Sequence, residues 1–106
     1  MKKALLLALT LFITACASTI QSASVLEAYK KYELQEFERT LELITQAENA
    51  KETNPEMKAE LTYLKAQAHV GLGQQKTANT LYEYLVKEHK DSQYGYLARK
   101  KLNTKL

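Results

Sequence analysis

Two short signals, Asn54-Pro55 and Gly71-Leu72-Gly73, constrain this chain most, because they bracket a segment of helical length. An asparagine side chain accepts from the orphan backbone N–H groups of a helix start, and proline has its φ preset for the first helical position. Glu56 then sits where the helix dipole favours an anion. At the far end, glycine tolerates the left-handed conformation that closes a helix and exposes its last carbonyls to capping bonds. Inside the brackets Met57, Leu61, Leu64 and Ala68 form one apolar stripe, and Tyr63, Ala66 and Val70 form another. A helix with two apolar faces is covered on two sides, so this one is predicted to be central.

The flanking segments carry the same period. Ser24-Val25-Leu26-Glu27 matches a capping box, which predicts a helix start, and Val25, Ala28, Tyr29 and Tyr32 follow at helical spacing. After a break near Leu34 to Glu36, a second stripe runs through Phe37, Leu41, Ile44 and Ala47. Beyond the Gly71-Leu72-Gly73 turn, Ala78, Leu81, Tyr82 and Leu85 share a face that extends toward His89, and the pattern fades at Lys90-Asp91. Asp91 or Ser92 is then placed to cap a last helix holding Tyr94, Leu97, Ala98 and Leu102. With one proline, three glycines and no strand alternation, the expected fold class is all-α: about five helices in antiparallel hairpins. A single cysteine allows no internal disulfide, so stability must come from packing.

The first residues read as an address. Met1-Lys2-Lys3, an apolar run from Ala4 to Ala15 and small residues before a cut form a signal peptide. The run is too short to cross ~30 Å of hydrocarbon at ~1.5 Å per residue. Ile13-Thr14-Ala15-Cys16 resembles the lipobox of bacterial lipoproteins; an ordinary signal peptide with an incidental cysteine is the other reading. The resemblance implies residues 1–15 as signal peptide, 16–23 as the lipidated Cys16 with a short tether, and 24–106 as the helical domain. It also implies a lipid-anchored protein of the bacterial cell envelope, facing the periplasm. Ala17 and Ser18 are not the aspartate of the enteric rule for inner-membrane retention, so the outer membrane is expected.

Maturation would leave one small domain, near the size where burial only just exceeds chain entropy. The formal charge of +3 shrinks once Lys2 and Lys3 leave, which removes any argument for nucleic acid from net charge. Its distribution is lopsided instead. Ser24 to Glu60 holds nine glutamates against five basic residues, whereas Leu61 to Leu106 holds eight basic residues against three acidic ones. Such a dipole suits orientation on a charged partner or an anionic lipid surface, or simply a solvated helical surface.

Ala66, the Gly73 turn, Ala78, Tyr82 and the boundary at Asp91 fall where a tetratricopeptide (TPR) repeat places its small residues, turn glycine, aromatic knob and exit turn. Ala28, Phe37, Thr40, Leu41, Ile44 and Ala47 resemble the same template more loosely, with Gln35 in place of the glycine and a repeat of roughly 38 residues instead of 34. The last helix resembles the solvating helix that closes such arrays, and the words from Asp91 to Leu102 resemble repeat junctions of periplasmic TPR lipoproteins. A plain five-helix bundle is the other reading. Two repeats and a cap fall below the ~3 usual for a self-sufficient stack, so an open end calls for a cover.

No constellation for catalysis is found. His69 and His89 are the only histidines, and there is no metal-ligand spacing, phosphate-cradling loop or nucleophile elbow. The expectation is a non-enzyme with no cofactor or metal. Glu36, Glu38, Glu42 and Glu48 are predicted to face solvent, and Arg99-Lys100-Lys101 to form a charged helix end or to touch lipid head groups. Seven tyrosines in a chain without tryptophan are the residual signal. By the TPR resemblance the first helix of each hairpin lines a groove, which places Tyr29, Tyr32, Tyr63, Gln67, Val70 and Tyr94 there as a peptide-binding surface. The same rings serve equally as inter-helix packing. The expected function is an adaptor that binds an envelope protein or peptide; the alternative is a structural accessory subunit of an envelope assembly or secretion complex. The sequence leaves the oligomeric state open.

Overall fold

Five helices follow one another in the computed structural model of the protein, which describes residues 23–50 and 54–104. They are α1 over residues 23–33, α2 Phe37–Ala50, α3 Pro55–Gly71, α4 Gln75–Glu88 and α5 Gln93–Asn103. No strand occurs among the described residues, so the fold is all-α. Cys16, the signal segment and all of the tether but Ala23 lie outside them.

The local signals act as their chemistry requires. Asn54 accepts a 2.8 Å hydrogen bond from the Met57 backbone N–H, and Pro55 and Glu56 occupy the first turn of α3. The α3 end is closed by Gly73 N–H donating to Val70 and Gln74 N–H to His69, with Gly73 at φ +76°. Of the two candidate caps for α5, Ser92 is the one used: its hydroxyl accepts from Tyr94 N–H at 3.1 Å. Ser24 is a correction. Ala23 is already helical and Ser24 is buried within α1, so the capping-box position is an interior one.

Connections of three or four residues between packed helices make α1–α2, α3–α4 and α4–α5 antiparallel hairpins. Contacts join α2 with α3, α3 with α4, α4 with α5, and α3 with α5, while α2 touches neither α4 nor α5 among the described residues. Helix α1 shares a core cluster with α3 and reaches it again through Tyr32 and Gln67, and α5 contacts α3 directly, so the odd-numbered helices form one layer with α2 and α4 behind it. One core cluster joins Ala28 of α1, Leu43, Ile44 and Ala47 of α2, and Leu61 and Leu64 of α3. A second joins Ala59 and Ala66 of α3, Ala78, Tyr82 and Leu85 of α4, and Ala98 of α5. Helix α3 gives a face to each, as its two stripes predict. The fully buried Ala66 and Ala78 let α3 and α4 approach closely while Tyr82 fills the space beside them. Val70 is 40% exposed in the last turn of α3, where a groove residue is expected, whereas Glu48 departs from its expected solvent-facing place and is half-buried against Lys65, with Nζ to Oε1 at 3.1 Å.

The α1–α2 turn explains the missing glycine. Gln35 takes φ +62°, the same left-handed conformation as Gly73 in the α3–α4 turn. A side chain there costs about 1–2 kcal/mol, of which the greater unfolded-state freedom of glycine takes back ~0.5–1. Gln35→Gly is therefore expected to stabilise the fold by about 1 kcal/mol, read as a rise of roughly 4–8 °C in Tm by circular dichroism. A fall in Tm would show that the glutamine side chain holds the turn.

Candidate functional groove

Glu60, Tyr63, Gln67 and Val70 lie at i, i+3, i+7 and i+10 on α3, along a single stripe. Helix α1 brings Tyr29 and Tyr32 to this side, and α5 brings Tyr94 and Lys101. Side chains of the odd-numbered helices line this surface, and α4 adds Gln75 and Tyr82 to it at one end.

The structure divides that surface in three. At the C-terminal end of α3, Tyr32, Gln67, Val70, Gln75, Tyr82 and Lys101, with Thr104 at the rim, line a pocket of about 300 Å³. The Tyr32 hydroxyl reaches the Gln67 side-chain carbonyl at 3.4 Å, a long hydrogen bond, and its ring meets Phe37 edge-on at 5.6 Å. In the middle, the Tyr63 ring stands between Tyr82 and Tyr94, each centroid 5.8 Å away. At the N-terminal end, the Tyr94 hydroxyl donates to Glu60 Oε2 at 2.9 Å, and Tyr29 borders the same carboxylate. Glu60, Glu56, Met57, Asn54 and Tyr94 line a second, shallower pocket of about 260 Å³ there.

Burial raises the phenols of this surface. Tyr82 is pushed up to about 12 mainly by desolvation, with Tyr63 and Tyr32 adding to it. Tyr94 is also pushed up to about 12, by desolvation first and then by its hydrogen bond to Glu60 and the charge of that carboxylate. Tyr63 rises through burial and then the neighbouring Tyr32, and Tyr29 rises through burial and then the Glu60 charge. All four stay neutral hydrogen-bonding groups at physiological pH.

Of the six groove residues expected from sequence, Tyr32, Gln67 and Val70 meet in one pocket, and Tyr29 and Tyr94 meet at Glu60. Tyr63, half-buried between two rings, packs α3 against α4 and α5, which is the other role that the sequence leaves open to it. Glu60, Gln75 and Thr104 are lining residues that the sequence does not single out, and Lys101, expected at a charged helix end or against lipid head groups, lines the pocket beside Val70. Glu60 carried a readable signal, since it continues the Tyr63-Gln67-Val70 stripe backward by one turn. Lys101 carried none, because it reaches the pocket only through the packing of α5 on α3.

The histidines stand apart from the groove and from each other, one at each end of the α3–α4 hairpin. His69 donates from Nδ1 to the Gln74 side-chain carbonyl at 2.6 Å, and the His89 ring lies 5.6 Å from Tyr84. Among the described residues no group of three or more His, Cys, Asp or Glu side chains could hold a metal ion, and no helix is long and apolar enough to cross a membrane. No family model, no curated protein and no solved structure matches the chain.

Proposed function

We propose that this chain is a lipid-anchored, TPR-like adaptor of the bacterial cell envelope that holds a short extended segment of a partner protein in the α1–α3–α5 groove. The observation that carries the reading is the pocket at the C-terminal end of α3. Tyr32, Gln67, Gln75 and Lys101 line one concavity together with Val70 and Tyr82. The lining is mostly polar, with Val70 as its one aliphatic side chain and two tyrosine rings beside it, which suits the backbone and polar side chains of an extended peptide more than an apolar ligand. Amphipathic tyrosines add contact area with little entropy to lose. The odd-layer, even-layer stacking supports the TPR resemblance, and the lipobox resemblance of Ile13-Thr14-Ala15-Cys16 supports the anchor.

Two substitutions test the two halves of the proposal. Cys16→Ser is expected to move the protein from the membrane fraction to the soluble one without changing its melt, because no described helix uses that residue. Retention in the membrane fraction would remove the anchor. Lys101→Ala combined with Gln67→Ala is expected to lower the yield of partner crosslinked in cells from position 32 at least about tenfold, the scale of losing two polar contacts. A full yield at an unchanged Tm would remove the groove.

A further inference from the structure

Among the described residues, the layered stack ends without a cover on either side. On α5, Gly95 and Ala98 are buried against the rest of the domain, and Tyr94 and Leu102 pack beside them. The opposite stripe holds Tyr96, Arg99, Lys100 and Asn103, all exposed, with Tyr96 at 61%. Lys100 Nζ lies over the Tyr96 ring, 5.6 Å from its centroid. Helix α5 carries three cations, no carboxylate, and no ion pair among the described residues.

The first hairpin is its counterpart in both charge and hydropathy. Ala28 faces the core, whereas Leu26 on the other side of α1 is 68% exposed and Leu34, in the turn that follows, is 65% exposed, the two most exposed large apolar side chains described. Residues 23–50 carry six glutamates against three basic residues. Ion pairs join Glu27 with Lys30, Glu36 with Lys31, Glu42 with Arg39, and Glu48 with Lys65. Glu33 and Glu38, which flank the exposed Leu34, are left without a cation among the described residues. One end of the stack thus presents an aromatic ring amid free cations, and the other presents two leucines beside free carboxylates.

We propose that the chain associates head to tail with itself, the Tyr96-Arg99-Lys100 stripe of one copy docking on the Leu26-Glu33-Leu34-Glu38 end of the next. The occupant is a second copy because both complementary surfaces stand on the same chain, whereas a membrane surface would match α5 alone. Stacking also extends an array of two hairpins and one helix toward the number of units at which such stacks become self-sufficient. Because the two patches differ, the contact is heterologous and builds rows or rings instead of a closed two-fold pair. Neither patch includes a residue of the pocket beside Val70, so self-association is independent of what the groove holds.

Charge exchange on the full chain, purified from membranes in detergent, tests this. Arg99→Glu with Lys100→Glu, or Glu33→Lys with Glu38→Lys, is expected to weaken self-association in sedimentation at least about tenfold, and the fourfold variant to restore it, since opposite charges again face each other. A wild-type chain that stays monomeric, or a fourfold variant as weak as either pair, would overturn the proposal. A photo-crosslinking residue at position 96 in cells gives an independent readout. Crosslinks to a second copy within residues 26–38 support the contact, and crosslinks confined to lipid or to another protein overturn it.

Discussion

Gly95→Ala is expected to lower the melting temperature by roughly 12–24 °C, the yield of about 3 kcal/mol of lost stability in a domain of this size. In an exposed helix the same change would stabilise by ~1 kcal/mol, since alanine is the better helix former. The surroundings reverse the sign. Gly95 lies in the first turn of α5, where that turn seats on the carbonyl end of α4, and a Cβ there would run into the His89 carbonyl and crowd that of Leu85 at 3.2 Å. Both obstacles are backbone, so neither can rotate away, and α5 must lift off α4. Ala98, the other small residue of α5 at 0% exposure, would leave its seat with it. Gly71 provides the comparison: the nearest atoms to its added Cβ belong to the far end of the Phe37 ring, a side chain that can move at the expense of its edge contact with Tyr32, and Gly71→Ala is expected to cost about 1 kcal/mol. Equal melts for the two alanine variants would show that α5 is not seated as described.

The contrast between those glycines shows what a sequence discloses. Asn54-Pro55, Gly73 and Ser92 act through bonds to residues a few positions away, so their roles are readable before any fold is known. The 3.6-residue period exposes the two faces of α3 for the same reason, and the pairing of Ala66 with Ala78 follows from small residues placed where two helices must cross. Gly95 cannot be read that way, because its neighbour is a carbonyl supplied by how α4 ends. Lys101 is silent likewise: its spacing fits a charged helix end until α5 is laid against α3. Ser24 misleads for a local reason, since Ser-x-x-Glu fits a capping box wherever it occurs, but the helix already includes Ala23 and the serine is drawn into the interior.

Tyr63 is where the two readings of the tyrosines separate most sharply. Its place on the Glu60-Gln67-Val70 stripe assigns it to the groove, whereas its ring contacts with Tyr82 of α4 and Tyr94 of α5 make it a bridge among three helices. Truncation to alanine removes both ring pairs, each worth ~0.5–1.5 kcal/mol beyond burial, and opens a space beside the 2%-exposed Tyr82 ring. Tyr63→Ala is therefore expected to cost about 2–3 kcal/mol and to lower Tm by roughly 10–20 °C. Tyr63→Phe keeps the rings and is expected to stay within ~0.5 kcal/mol of the parent, because its hydroxyl makes no hydrogen bond shown to join the helices. Loss of partner capture in Tyr63→Ala would then follow from unseating α5, which carries Lys101 into the pocket. Tyr32→Ala, at the pocket itself, separates the effects: capture falls while the melt moves by less than in Tyr63→Ala. If Tyr63→Ala melts like the parent, its ring belongs to the groove after all, and α5 is held by Gly95, Ala98 and Leu102 alone.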